Sequence, residues 1–143
     1  MDHVAIMRKS WGFTEKILRG EKTIESRWYM SKRTPWDRVE KGDTVYFKNS
    51  GELVSFRATV SRVFQFENLT PQRVKEILER YGKEDGVSRE QMPFFFKLFK
   101  DKRYCILVFL VRPQRVRQFF INKKGFGAMA SWISISSVNS IKY

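Results

Sequence analysis

One stretch, residues 53–66, limits the fold of this chain more than any other. Apolar and polar side chains alternate through most of it: Val54, Phe56, Ala58 and Val60 fall between Ser55, Arg57, Thr59 and Ser61. Because successive side chains of a strand point to opposite faces, this pattern predicts a strand with one buried face, as in an antiparallel barrel. Arg62 interrupts the alternation, and a bulge there would let the strand bend.

Two helices and four further strands follow from local patterns. Residues 103–111 are apolar on both faces, which is typical of a central strand, and Pro113 is expected to end it. A helix is predicted from Thr70, as its cap, to Tyr81, because Pro71 suits the first helical position. The other predicted elements are a helix at 88–98 and strands at 3–7, 44–48 and 132–138.

The stretch from Ser10 to Trp28 predicts a third, short helix, a glycine stop and a charged strand. Phe13 and Ile17 lie four residues apart and so fall on one side of the helix. Ser10 is expected to cap it. Gly20 stands where a residue in the left-handed conformation is expected after the last turn.

The strand that follows is unusual in its charge. Alternation places Thr23, Glu25 and Arg27 on one face and Ile24, Ser26 and Trp28 on the other. Lys22 lies at the turn, where strict alternation is not required, and it is free to swing toward Glu25. The sequence leaves open whether Glu25 and Arg27 line a groove or pair with each other.

The charge of the chain favours a polyanionic partner. Lys and Arg outnumber Asp and Glu by 28 to 15, which gives a net charge of +13. Nucleic acid is the simplest partner for such a chain, and a basic protein that binds none is the alternative. In residues 29–38, basic residues are interspersed with the aromatic residues Tyr29 and Trp36, and the last of the basic residues is Arg38. The segment is either a loop that stacks on bases and binds phosphate, or a solvated loop.

Nine basic residues and one acid lie in residues 97–124. Such a block is often only a solvated face, but here it ends in a glycine-rich loop. Gly125 and its neighbour at 127 allow the backbone to approach a phosphate closely, and Phe126 offers a stacking plane. We therefore predict phosphate or RNA contact by Lys123, Lys124 and this loop.

Several classes of protein are not favoured. With a single histidine, His3, and a single cysteine, Cys105, a protein-only zinc site is not expected. A serine or cysteine triad is not expected either, because His3 alone would have to supply its base. Cys105 is expected to be a buried, inert thiol. We expect no metal and no cofactor.

Nothing in the sequence indicates a membrane segment or a secretory leader, so we expect a cytoplasmic protein. With 42% hydrophobic residues and no linker, residues 1–143 are predicted to form one domain around one core. The sequence leaves the oligomeric state open, and we assume a monomer.

The motif GxKxxExR at residues 20–27, preceded by SW at 10–11 and an amphipathic helix, resembles the signature of ASCH (activating-signal-cointegrator homology) domains. The resemblance is to a small stand-alone member of prokaryotic type. It covers about residues 3–28, and beyond them only the order of elements is similar. It implies an α+β, mainly β fold: a PUA-like mixed or antiparallel β-barrel with two or three short helices packed around it.

The resemblance also implies a cleft that binds RNA, single-stranded or at a modified base. Lys22 and Arg27 would hold phosphate or a base edge, with Thr23 on the same face. Glu25 would accept from an exocyclic amine or hold Arg27. The side chains available to stack on a base are those of Trp11, Trp28 and Trp132.

Two other interpretations stand beside this one. Some small ASCH proteins hydrolyse N4-acetylcytidine and others are ribonucleases, which would make Lys22 and Glu25 catalytic. The amidohydrolases, however, have threonine at the position of Glu25, and their later carboxylate has only Glu67 and Glu90 as candidates here. The third interpretation is that Lys22, Glu25 and Arg27 form a salt bridge that holds the helix on the barrel and does nothing else.

Overall fold

The computed structural model describes residues 1–143 and contains one mixed sheet of six strands, with three α-helices packed against it. The strands are β1 (Asp2–Met7), β2 (Ile24–Tyr29), β3 (Thr44–Asn49), β4 (Val54–Phe66), β5 (Tyr104–Phe119) and β6 (Trp132–Ile135). The helices are α1 (Phe13–Leu18), α2 (Pro71–Tyr81) and α3 (Met92–Phe99). Short 3-10 turns lie at Lys9–Trp11, Arg89–Gln91 and Val138–Ile141.

The strand order in the sheet is β2-β5-β4-β3-β1-β6. Only β1 and β3 run parallel; every other neighbouring pair is antiparallel. The sheet forms a half-barrel whose two edge strands are β2 and β6. This mainly β, α+β architecture confirms the fold class expected from the sequence.

The long pair of β4 and β5 carries the bends of the half-barrel. The register of β4 against β5 shifts between Val60 and Arg62, so the irregularity predicted at Arg62 is confirmed. Two further shifts lie between Val54 and Phe56 and between Arg57 and Thr59. Each shift disrupts the ladder locally and increases the twist of the strands.

The prediction that Pro113 ends the central strand is wrong. β5 continues through Pro113 to Phe119, because the proline lies at a β-bulge. Thr59 of β4 lies opposite Val111, but Arg57 lies opposite Gln114, so β5 carries one extra residue between these pairs. A proline, which has no N–H to donate, is tolerated at such a bulge.

The start of the first helix also differs from the prediction. Ser10 does not cap it; Ser10 lies inside the 3-10 turn, and α1 begins after Gly12, whose φ is +68°. Gly20, with φ +77°, adopts the left-handed conformation expected of it. In α2 the prediction is confirmed, since the Thr70 hydroxyl accepts a hydrogen bond from the Arg73 N–H at 3.2 Å.

The main core lies between the concave side of the sheet and the three helices. Phe47 and Phe56 stack at its centre with ring centroids 4.8 Å apart. Cys105 is fully buried there, as predicted, and burial raises the pKa of its thiol well above the usual value. None of the helices has both the length and the hydropathy needed to cross a bilayer.

His3, the second residue of β1, is a buried structural residue. Its Nδ1 accepts a hydrogen bond from Trp132 Nε1 at 3.1 Å and lies 2.8 Å from the Ser134 hydroxyl. Because Nδ1 accepts from an indole, the proton must be on Nε2, which donates to Asp43 Oδ2 at 2.8 Å. Burial lowers the pKa of His3 although Asp43 opposes the shift, so the folded chain holds a neutral imidazole.

The neutral His3 predicts a loss of stability in mild acid. Unfolded histidine binds a proton near pH 6.5, whereas the folded chain excludes that proton until the pH reaches the lowered pKa of His3. The free energy of unfolding should therefore fall as the pH drops below 6.5, by at most about 1.4 kcal/mol per pH unit. Urea denaturation between pH 7.5 and 5 measures this, and equal pH dependence in wild type and His3→Gln would contradict it.

Candidate functional site

The site is built on a buried ion cluster, which we call the Lys22 cluster: Lys22, Glu25 and Asp85. The Lys22 side chain is 0% exposed, and those of Glu25 and Asp85 are 6% exposed. Lys22 Nζ lies 2.6 Å from Asp85 Oδ1 and 3.2 Å from Glu25 Oε1. It also donates to the carbonyl oxygens of Ile24, at 2.7 Å, and of Asp85.

Two turns bring the cluster together. Lys22 follows the glycine turn after α1, and Asp85 lies in the turn after α2. The N–H groups of Thr23 and Ile24 both donate to Glu84 O, at 2.8 and 3.0 Å, and so fix the second turn against the first. Gly86 is required there, because its φ is +84° and a Cβ would lie 3.1 Å from Lys22 Cδ.

Asp85 is held by β2 as well as by Lys22. The Ser26 hydroxyl donates to Asp85 Oδ2 at 2.6 Å and accepts from Trp28 Nε1 at 3.0 Å. Burial raises the pKa of Asp85, and the nearby Glu25 carboxylate adds to the rise, while Lys22 and Ser26 oppose it. The result is a carboxyl group that holds its proton more strongly than an exposed aspartate does.

Arg27 links the two edges of the sheet. Its Nε donates to Glu25 Oε2 at 2.8 Å, and its Nη1 donates to Ser131 O, just before β6, at 3.0 Å. Its guanidinium also lies 5.2 Å from the centre of the Trp132 ring. Glu25 and Arg27 therefore pair with each other and also line the opening between β2 and β6.

A cavity of about 300 Å³, the first cavity, opens beside this pair. One wall is aromatic: Trp28 stacks on Phe99 at a centroid distance of 4.8 Å, and Trp11 meets Phe95 edge-on at 5.2 Å. The polar side of the same cavity carries Arg27 and the carboxylates of Glu25 and Asp85.

Two further basic residues, Arg8 and Lys102, also line the first cavity. Arg8 lies 4.9 Å from the Trp11 ring centre, a cation–π distance, and is exposed. The cavity therefore combines a stacking wall, buried hydrogen-bond acceptors and cations within reach of solvent.

A second cavity of about 490 Å³ adjoins the first, because Tyr29 and Ser131 line both. The loop after β2 forms one side of the second cavity, with Lys32, Arg33 and Thr34. The other side is the loop before β6, with Phe126, Gly127, Met129 and Ala130, together with the first residue of β6, Trp132.

Apart from Lys123, the residues predicted from the sequence divide into three groups: those that line a cavity, Lys22, and those that line neither cavity. Trp11, Glu25, Arg27 and Trp28 line the first cavity, and Phe126 and Trp132 line the second. Lys22 lies buried behind the first cavity and supports it through its carboxylate partners. Thr23, Lys124 and Gly125 are exposed and line neither cavity.

Two residues that were predicted to contact RNA, Lys123 and Trp132, contact other parts of the protein instead. Lys123 Nζ donates to Ala128 O at 3.1 Å and to Ala130 O at 3.0 Å, so it holds the loop before β6 in shape. Trp132 is 4% exposed, with its N–H on His3 and its ring beneath Arg27. Little of its ring surface remains for a base.

Sequence reasoning missed Asp85, the second carboxylate of the site. The residues considered for that role lie elsewhere: Glu67 pairs with Lys32 at 3.5 Å on the surface, and Glu90 is exposed in a 3-10 turn. The only local signal for Asp85 is an aspartate before a glycine after a helix, which is ordinary turn chemistry. No group of three or more His, Cys, Asp or Glu side chains is placed to hold a metal ion.

Comparison with solved structures finds the same fold in the ASCH protein of Zymomonas mobilis. Its crystal structure matches with a TM-score of 0.65 at 19% identity, over 99% of this chain and 96% of that chain. The structure of its Y47F mutant matches with a TM-score of 0.67 at 19% identity, over 97% and 93% of the two chains. No protein-family model and no curated protein matches the sequence. The likeness establishes the fold that the motif at residues 20–27 implied.

The Lys22 cluster predicts a large loss of stability when its cation is removed. Lys22→Met would leave Glu25 and Asp85 buried without their positive partner, at a cost of about 3–5 kcal/mol in the free energy of unfolding. Urea denaturation at pH 7 measures the loss. Lys75→Met, at an exposed position of α2, is the matched control and should change stability by less than about 0.5 kcal/mol. Equal stability of the two variants would contradict a supporting role for Lys22.

Proposed function

We propose that this chain, which has the fold of the ASCH proteins, is a member of that family and binds single-stranded RNA or a modified nucleoside. A base would occupy the first cavity. The observation that carries the proposal is the juxtaposition, in one recess, of an aromatic wall with the carboxylates of Glu25 and Asp85.

The size and lining of the first cavity suit a flat, polar ring. Its volume of about 300 Å³ lies at the lower end of the range for small-molecule sites. The indole of Trp11, half-buried, is available to stack on a base, an interaction worth about 1–3 kcal/mol. Glu25 and Asp85 retain acceptor capacity beyond their contacts with Lys22, Arg27 and Ser26, and an exocyclic amine would donate to them.

The surroundings of the cavity suit a phosphate backbone. Arg8 and Lys102 supply positive charge at the same recess, and the whole chain carries +13. Single-stranded RNA fits better than a duplex, because a base must leave the stack to enter a recess between β2 and β6.

Binding should depend on salt through Arg8 and Lys102. If each contacts one phosphate, the Arg8→Ala, Lys102→Ala double variant should flatten the slope of log affinity against log salt by about 1.4. Fluorescence polarisation with a mixed-sequence single-stranded RNA measures this slope.

The matched control removes the same charge at two exposed residues of α2 that line neither the first nor the second cavity, in Lys75→Ala, Arg80→Ala. It should weaken binding only through the smaller net charge of the chain. If both double variants lose equal affinity and slope, the positive charge acts at long range and the first cavity is not the site.

A hydrolase is the second candidate, and one observation favours it. Asp85, with its raised pKa, lies beside Glu25 at the first cavity, an arrangement suited to moving a proton to or from a bound base. Lys22 is not placed to attack a substrate, because its three N–H bonds are directed to Ile24 O and to two oxygens of Asp85. In a hydrolase of this design Lys22 would position the two carboxylates.

The two candidates separate in one assay. With N4-acetylcytidine and with a mixed-sequence single-stranded RNA, the binding protein should hold ligand and release no product, as followed by chromatography over several hours. Product formation that falls at least about 100-fold in Asp85→Asn, while thermal unfolding stays cooperative, would instead establish the hydrolase. If the protein neither binds nor converts these ligands, the Lys22 cluster only stabilises the fold.

A further inference from the structure

We infer that the second cavity holds the nucleotide next to the one in the first cavity, so that the ligand is a strand of RNA rather than a free nucleoside. The inference rests on the function proposed above and adds the class of ligand. Its starting point is that the two cavities meet along a shared border, formed by Tyr29 and Ser131.

The charge of the second cavity differs from that of the first. It is lined by Lys32 and Arg33 and by no carboxylate, whereas the first cavity has Glu25 and Asp85 in its lining. Arg33 is exposed, and Lys32, also exposed, pairs with Glu67 at 3.5 Å and lies 5.7 Å from the centre of the Trp36 ring. Exposed ion pairs of this kind contribute little, so Lys32 is readily recruited by a phosphate.

The second cavity also has surfaces on which a base can stack. The ring of Phe126 is half-buried against the smaller hydrophobic cluster around Val4 and Ile133, which fixes its position. Tyr29 provides an aromatic ring at the border with the first cavity. Lys123 holds the loop carbonyls of Ala128 and Ala130, so the wall is already ordered before a ligand binds.

The border itself suits a phosphodiester. Tyr29 and Ser131 each carry a hydroxyl that can donate to a phosphate oxygen. The guanidinium of Arg27 lies directly behind, with its Nη1 on Ser131 O at 3.0 Å. A base in the first cavity, a phosphate at the border and a second base on Phe126 would together fill both cavities. A free nucleoside would leave the second one and its cations empty.

The test compares nucleosides with dinucleotides. Adenosine, cytidine, ApA and CpC are titrated into the protein by calorimetry in 50 mM salt. At least one dinucleotide should bind about fivefold or more tightly than its own nucleoside, the lower end of what one stacked base contributes. Arg33→Ala, which removes a phosphate-binding charge from the second cavity but leaves the stacking surface, should reduce that advantage by about twofold or more and leave the affinity for the nucleoside unchanged.

The matched control is Arg38→Ala, in the same segment, which removes the same charge but lines neither cavity. It should change each affinity by less than about twofold, and thermal unfolding checks that both variants fold. Nucleosides that bind as tightly as dinucleotides, or equal losses in the two variants, would overturn the second subsite while the proposed function stands. If none of these four ligands binds the wild type, this inference is wrong; if the mixed-sequence RNA and N4-acetylcytidine also fail to bind, the proposed function is wrong as well.

Discussion

The structure of the site depends on one ammonium group placed where no water reaches it. Burying a lysine is costly unless opposite charge and acceptors surround it, and Lys22 has both. Its partners come from separate parts of the chain: Ile24 and Glu25 from β2, and Asp85 from the turn after α2. Because the amine requires all of them at once, it fixes the α1–β2 connection against the α2–α3 connection and so fixes one end of the first cavity.

The opening itself follows from the topology of the sheet. β2 and β6 are edge strands and do not pair with each other, so the half-barrel has a gap along one side. Arg27 bridges this gap at one point: it pairs with Glu25 on β2 and donates a hydrogen bond to Ser131 O, just before β6. On either side of that bridge the gap remains open as a cavity, which explains why two recesses meet at Ser131.

Local patterns predicted most of the fold. The alternation in residues 53–66, the cap at Thr70 and the bulge at Arg62 depend on near neighbours, and each is present in the structure. Two local signals misled, for a physical reason in each case. A proline ends a regular strand, but Pro113 lies at a β-bulge, where it is tolerated. Ser10 would cap α1 only if the helix began directly after it, but Ser10 lies inside a 3-10 turn.

The candidate site was predictable only in part. Glu25 and Arg27 were found because they alternate on one strand. Asp85, which shares Lys22 with Glu25, is 60 residues away from Glu25 along the chain, and no local pattern distinguishes it. The burial of Lys22 could not be predicted from the sequence either, because a lysine in a turn is ordinarily solvated. Trp132 looked available for stacking because nothing in the sequence indicates that His3 and Arg27 already contact it.

The setting of Lys22 bears on its reactivity toward reagents. An amine attacks an acylating reagent through a free lone pair and needs access to it, whereas Lys22 is enclosed and hydrogen-bonded to three acceptor oxygens. The many exposed lysines of this chain would be acylated readily, and this one would stay unmodified as long as the fold persists. Labelling at Lys22 would thus report the opening of the two turns around it without any assay of function.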